Sequence, residues 1–261
     1  MITSNHNPKI QQVKSLLNRP KDRHTAGQFV AEGVRLVEEA WKAGLIPDQV
    51  FYSQSVSDRG QQMVEDYRQK DVEIEEVLPS LIDSLAPTEN SQGLLAVFPL
   101  QSLPLPAHLD FTLILDNLRD PGNLGAILRT SAAAGVNAVF LTPGTTDPYA
   151  PKVLRAGMGA HFRLPVLSLP WDEIIQIHKQ PKTPLHLFLA DVDAAAVNCW
   201  KADLRQPLAL VIGGEAEGAT ESGRRAADEL IAIPMPGSAE SLNAAIAASI
   251  LIFEVTRQRF Q

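Results

Sequence analysis

At 261 residues, 45% of them hydrophobic, the chain has enough apolar mass for one large core or two smaller ones, which excludes a disordered polypeptide. A single cysteine, Cys199, excludes an internal disulfide and a cysteine-based metal centre, and is expected as a buried, inert thiol in a reducing cytoplasm. No run of eighteen apolar residues occurs and the polar start lacks an apolar core, so neither a membrane span nor a secretory leader is expected, while a net charge of −7 argues against non-specific binding to nucleic acid.

The chain opens on a local excess of positive charge: between residues 1 and 24 stand Lys9, Lys14, Arg19, Lys21 and Arg23 against Asp22 alone, with His6 and His24 nearby. Taken alone this arm fits a solvated terminus as well as a phosphate contact. A helical pattern near 8–18 is followed by Phe29-Val30-Ala31, helix 33–43, strand 49–53, helix 58–69, strand 72–77, a short helix from about 79 and strand 92–98, which together predict a small α/β domain. Proline and leucine then crowd residues 99–106, a composition that holds neither a helix nor a central strand. This sets the expected division: a domain over 1–98, a linker over 99–109 and a second domain over 110–261. Downstream, Phe111–Leu115 is a continuous apolar strand, with further strands near 138–141, 162–166, 186–190, 208–212 and 229–233 and helices beginning near Gly122, Pro148, Trp171 and Glu221. Strands apolar on both faces and separated by helices predict a mostly parallel sheet covered on both sides. The last helix, from 241 to about 258, carries Ile246, Ile250 and Phe253 on one stripe and Ala244, Ala247 and Leu251 on another, so it is expected in the core or at a subunit interface. There is no internal repeat and no low-complexity segment.

In a parallel α/β sheet ligands sit beyond the carboxyl ends of the strands. Three segments occupy such ends. Leu115–Asn123 leads from a strand into a helix that carries Arg129 nearly two turns after Asn123, among packed neighbours, where a guanidinium suits an anion such as phosphate. Leu208–Ile212 runs into Gly213-Gly214-Glu215; paired glycines suit a tight turn or the close approach of another molecule, and Glu215 is either a solvated acid or a carboxylate orienting Arg129. Ile233–Asn243 brings Ser241 and Asn243 to the start of the last helix, where capping accounts for Ser241 as well as a site does. No Gly-x-Gly-x-x-Gly follows the first strand of either half, no phosphate-loop lysine motif occurs, and the six histidines show no metal-ligand pairing. Dinucleotide dehydrogenases, P-loop nucleotidases and zinc hydrolases are thereby set aside, and no metal is expected.

With those residues in view, the chain resembles the SpoU (TrmH-type) family of RNA 2′-O-ribose methyltransferases, of the SPOUT class, over nearly its whole length. Asn123–Arg129 resembles the first family motif, Gly213-Gly214-Glu215 the second and Ile233–Asn243 the third, and Pro151–Val166 is similar to the family's helix-to-strand segment. The N-terminal part, with Asn7–Ile10, Gly27–Gly33 and Ser91-Gln92-Gly93, is similar to the substrate-binding domain of rRNA-modifying members, which resembles a small ribosomal-protein fold. Two departures stand out: Ala244-Ala245 where the family more usually has Val-Ser, and Ala156-Gly157 where Ala-Ser is commoner.

The resemblance implies an α/β fold whose C-terminal, mostly parallel sheet carries a trefoil knot, with a small N-terminal α/β domain, and a homodimer formed through the C-terminal domain whose active site includes both subunits. S-adenosylmethionine would bind in the knot against Gly213, Ile233 and Leu242, with Gly214, Met235 and Ala190 as further wall positions. Arg129 would be the central catalytic residue, supported by Asn123, Glu215, Ser241 and Asn243, gripping a phosphate and stabilising the developing alkoxide. Lys9, Lys14, Arg19, Lys21, Arg23 and Arg35 would meet structured RNA, with ribosomal RNA the expected substrate. The rival readings are a non-catalytic RNA-binding or ribosome-assembly factor on the same fold, a tRNA 2′-O-methyltransferase, and a small-molecule methyltransferase or other α/β enzyme.

Overall fold

The computed structural model describes residues 1–85, 92–180, 184–215, 217–238 and 240–260. Ser91, Ala216 and Ala239 of the motifs above lie outside the described residues. The first elements in chain order are α1 (Pro8–Asn18), α2 (Pro20–Ala26), β1 (Gln28–Glu32), α3 (Val34–Lys42), β2 (Gln49–Tyr52), α4 (Asp58–Arg68), β3 (Glu73–Glu76), α5 (Pro79–Leu85) and β4 (Leu94–Pro99). They continue with β5 (Phe111–Asp116), α6 (Pro121–Ala133), β6 (Ala138–Leu141), α7 (Pro151–Gly157), a 3-10 turn at Ala160–Phe162, β7 (Val166–Ser168) and α8 (Trp171–His178). The last are β8 (His186–Ala190), β9 (Val197–Asn198), β10 (Leu208–Gly213), α9 (Glu221–Ala226), β11 (Glu229–Ala232) and α10 (Ala244–Arg259).

The chain forms two compact units, Met1–Gln101 with Tyr149–Phe162, and Ser102–Pro148 with Arg163–Gln261. In the first, a four-stranded sheet runs β1-β4-β2-β3, antiparallel except for the β2/β3 pair. Alternation along its strands builds a core on each face. Phe29, Ala31, Leu94, Ala96 and Phe98 point toward α3 and α4, whereas Val30, Leu95 and Val97 pack with Ile10, Val13 and Leu16 of α1 and Ile82 of α5. Residues 149–162, expected within 110–261, group with this unit because the rings of Tyr149 and Phe162 pack against Phe29, at 5.0 and 6.3 Å between ring centroids. With Phe162 drawn into that core, the strand expected at 162–166 forms later, as β7.

The basic arm does not present all its cations to solvent. Residues 20–26 form α2, started by Pro20 and ended by Gly27 in the left-handed conformation, φ 62°. Arg23, expected to face RNA, is 2% exposed, and its Nη1 donates to the Leu16 carbonyl at 2.5 Å. It satisfies orphan carbonyls at the end of α1 and is unavailable to a phosphate.

The second unit holds a seven-stranded sheet, β7-β6-β5-β10-β8-β11-β9, parallel at every pairing. Its central strands are buried on both sides, which is why they read as unbroken apolar runs. The carboxyl ends of β5, β10, β8 and β11 come side by side, so the loops that follow them meet. Two of those loops touch through glycine. A Cβ on Gly213 would lie 2.3 Å from the Ala219 backbone nitrogen, and one on Gly214 would lie 2.5 Å from the Asn117 carbonyl oxygen. The paired glycines therefore serve a close approach between backbones of the chain itself.

Beneath those loops Asp116, the fully buried last residue of β5, collects three donors: Thr142 Oγ1 at 2.8 Å, Trp171 Nε1 at 3.0 Å and the Thr220 amide at 2.7 Å. One carboxylate thus ties the loop after β6, the start of α8 and the cap of α9 to a central strand.

Elsewhere in the unit, His178 is fully buried, accepting from the Thr112 hydroxyl at Nε2 (2.8 Å) while its Nδ1 donates to the Ile174 carbonyl (2.7 Å). Burial pushes its pKa below the ordinary 6.5; the Ile174 carbonyl opposes that shift and Lys179 adds to it. Stability is therefore fully present above about pH 6.5 and is lost below it, as the unfolded chain takes up a proton that the native imidazole refuses. Urea unfolding between pH 5 and 8 is expected to show this decline in the native protein and a weaker one in His178→Gln; equal slopes would contradict the assignment.

Candidate functional site

The loop after β5 sets the first wall of the site. Asp120 caps α6 by accepting from the Asn123 amide at 2.7 Å, and Pro121 takes the first helical position, where a missing N–H costs nothing. Asn123 is thereby fixed in the first turn. Its Nδ2 donates to Glu215 Oε1 at 2.8 Å, and Glu215 also accepts from the amides of Asp120 (3.3 Å) and Arg119 (3.4 Å). From the other side, Asn243 Nδ2 donates to Asn123 Oδ1 at 3.0 Å, while Asn243 Oδ1 caps α10 by accepting from Ala245 N and Ile246 N. Asn243, Asn123 and Glu215 therefore form one relay across the three strand-end loops. Burial pushes the Glu215 carboxyl up, but donation from Asn123 and from the amides of Glu215, Arg119 and Asp120 outweighs it, leaving the pKa below the usual glutamate value.

Beside the relay lies a cavity of about 690 Å³, within the range of small-ligand sites. All six expected wall positions, Ala190, Gly213, Gly214, Ile233, Met235 and Leu242, line it, as do Glu215, Ser241 and Asn243. Ile212, Ile231 and Leu251 add apolar surface, and Asp191, Arg224 and Glu240 add charge. Asp191 and Arg224 escaped the sequence reading, although Asp191 directly follows Ala190 at a strand end and could have been found by applying the strand-end rule to β8. A separate concavity of about 530 Å³ on the first unit, between α4 and the β2/β3 side, holds none of the expected residues.

Three expectations change. Arg129 is exposed rather than packed, because α6 buries Leu124, Ile127, Leu128 and Ser131 and position 129 falls outside that stripe. Within the chain Glu215 does not orient Arg129: its bonds go to Asn123 and to the amides of Arg119 and Asp120 before α6, and Arg129 stands about 9 Å further along the helix than Asn123. The last helix begins at Ala244 with Asn243 as its cap, so Ser241 lies on the exposed loop before it.

The cations of the first unit divide. Lys9 is held by Glu73 at 2.7 Å and by Glu75, and donation to both carboxylates raises its pKa. Lys14 reaches Asn5 and Arg19 lies 3.8 Å from Asp22. Lys21 and Arg35 are exposed and, among the described residues, have no ion-pair partner. Lys9 is therefore committed to strand β3, which no local charge count reveals.

The relay and the cap can be separated. Asn243→Asp keeps an equally good cap but turns Asn123 away from Glu215, so urea unfolding should shift by less than about 0.5 kcal/mol while the Glu215 carboxyl, followed by NMR, titrates at higher pH. Asn243→Ala should cost about 1 kcal/mol. An unchanged Glu215 titration in Asn243→Asp would contradict the relay.

Comparison with known proteins places this geometry. Residues 110–253 match the SpoU rRNA Methylase family and residues 7–96 match the MRM3-like substrate binding domain. A mouse protein named rRNA methyltransferase 3, mitochondrial, is 32% identical over 96% of this chain and 72% of its own length. A 23S rRNA (uridine(2479)-2′-O)-methyltransferase of Streptomyces viridochromogenes is 30% identical over 99% of this chain and 92% of its own. The crystal structure of the SpoU methyltransferase AviRb from Streptomyces viridochromogenes in complex with AdoMet superposes with a TM-score of 0.89 at 29% identity, covering 97% of this chain and 98% of that one. With more than half its length matched by the family and with relatives at least 30% identical over nearly all of this chain, the chain belongs to the SpoU rRNA methylase family.

Proposed function

We propose that this protein transfers a methyl group from S-adenosylmethionine to a ribose 2′-hydroxyl of ribosomal RNA. The observation that carries the reading is convergence: six positions expected to hold the cofactor line one cavity, and that cavity opens onto the Asn243–Asn123–Glu215 relay. The cavity fits the group. Ile212, Ile231, Ile233 and Leu251 offer apolar surface to an adenine, the glycines let backbone approach closely, and Glu215 and Glu240 suit a cationic ligand. When bound, the cofactor supplies an electrophilic methyl group on a sulfonium.

The chain's own residues supply alignment and charge. Asn123 and Asn243 hold the loops in register. Glu215 anchors Asn123 and the amides of Arg119 and Asp120, and the ribose proton leaves to water, to phosphate or to Glu215 itself. A guanidinium stays charged in proteins, so Arg129 grips the neighbouring phosphate and stabilises the developing alkoxide.

The exposure of Arg129 supports a homodimer in which it serves a shared site. Ile246 and Phe253 on α10 are 53% and 50% exposed, an apolar stripe suited to a second copy of the chain. A trefoil knot in the C-terminal unit is part of the same proposal. Ribosomal rather than transfer RNA is favoured by the first unit, whose substrate-binding match accounts for residues 7–96. Lys14, Arg19, Lys21 and Arg35 are its candidate RNA contacts, in a two-part chain divided near residues 99–109. The cytoplasm is the proposed compartment, consistent with the single buried Cys199.

Incubation with ribosomal RNA stripped of modifications and methyl-labelled cofactor should yield labelled 2′-O-methylribose. Arg129→Lys should lower kcat/KM by about 10²-fold or more, because the forked geometry is lost. Association with RNA without labelled product would favour the non-catalytic binder, and near-normal turnover by Arg129→Lys would overturn the role of Arg129.

A further inference from the structure

Asp191 lies on the cavity wall at the carboxyl end of β8, and its position is unusually well fixed. Its amide donates to the Ile231 carbonyl at 3.0 Å, which ties it to β11. Its Oδ2 is paired with Arg224 Nη1 at 2.7 Å and its Oδ1 accepts from the Asp193 amide at 3.1 Å. The side chain is 13% exposed, so it is largely removed from water. Arg224 is in turn carried by α9, whose cap Thr220 is hydrogen-bonded to the buried Asp116. A carboxylate has about four lone-pair sites. Each oxygen of Asp191 uses one of them here and keeps a second.

We propose that Asp191, oriented by Arg224, is the ribose subsite of the cavity, accepting hydrogen bonds from the vicinal 2′- and 3′-hydroxyls of the bound nucleoside. The inference rests on the cofactor reading above and extends it to a residue with no assigned role. Strand order supports the choice of group. β8 lies between β10 and β11, so Asp191 stands between the polar corner at Gly213 and Gly214 and the apolar surface of Ile231 and Ile233. A nucleoside with its base on the apolar side and its reactive end near the relay carries its sugar between the two. Two acceptors on one carboxylate match two adjacent hydroxyls, and acids in other α/β sheets accept from the ribose 2′-hydroxyl.

Calorimetric titration of the full-length protein with S-adenosylhomocysteine and with its 2′-deoxy and 3′-deoxy analogues tests this without turnover. The native protein should bind each deoxy analogue about 10-fold more weakly than the parent, and in Asp191→Ala that discrimination should shrink to about 2-fold or less. Arg224→Gln, which leaves Asp191 in place but loosens it, should give an intermediate result and guards against misfolding of the first variant. Full discrimination retained by Asp191→Ala would overturn the ribose assignment while leaving the cofactor reading intact. A uniform loss of affinity for parent and analogues alike would overturn it in favour of a contact to the ammonium group of the amino-acid end. Failure of the native protein to bind S-adenosylhomocysteine at all would instead remove the cofactor reading and the ribose subsite with it.

Discussion

The site depends on a packing constraint that leaves no room for a Cβ. At the carboxyl edge of the parallel sheet the loop after β10 is pressed against the loop after β5 and against its own return at residues 218–219, with Gly213 and Gly214 at the contacts. The mutual amide-to-carbonyl bonds of Gly214 and Gly218, both 3.1 Å, close that loop on itself. Larger residues would push these backbones apart, and overpacking of this kind typically costs about 1–3 kcal/mol. Geometry would be lost as well, because Glu215 reaches Asn123 only while the two loops are in register.

Asp116 gives the same corner its second hold. Asn117, with φ 58°, sits between Gly144 and Gly214, and its amide donates to Thr142 Oγ1, which donates onward to Asp116. A left-handed asparagine, two crowded glycines and a buried carboxylate are each unfavourable alone; together they satisfy one another. The result is a pre-formed cavity edge, in which the polar groups are already hydrogen-bonded before any ligand arrives. Arg129 stands apart from this rigid part. It is exposed on α6, and Ile246 and Phe253 of the neighbouring α10 are exposed as well.

Much of this was legible in the sequence, and the reason is local. The central strands announce themselves as apolar runs, Pro121 marks the start of α6, and the strand-end positions of Ala190, Gly213 and Ile233 follow from where those runs stop. What escaped depends on partners distant in sequence. Lys9 looks like a free cation until β3 brings Glu73 and Glu75 to it, and Arg23 looks like part of a basic arm until α2 folds back on the carbonyls of α1. Asp191 and Arg224 are unremarkable apart and become a site feature only when β8 and α9 meet. Pro20 and Gly27 bound α2, but neither shows that Arg23 turns inward onto α1.

The central account is that the cavity and the relay form one cofactor site. Chemical-shift mapping on titration with S-adenosylhomocysteine tests this most directly. Perturbations are expected at the amides of Gly213, Ile233 and Leu242 and at the side-chain amides of Asn243 and Asn123. Shifts confined to the concavity on the first unit, with the relay unmoved at saturation, would contradict it.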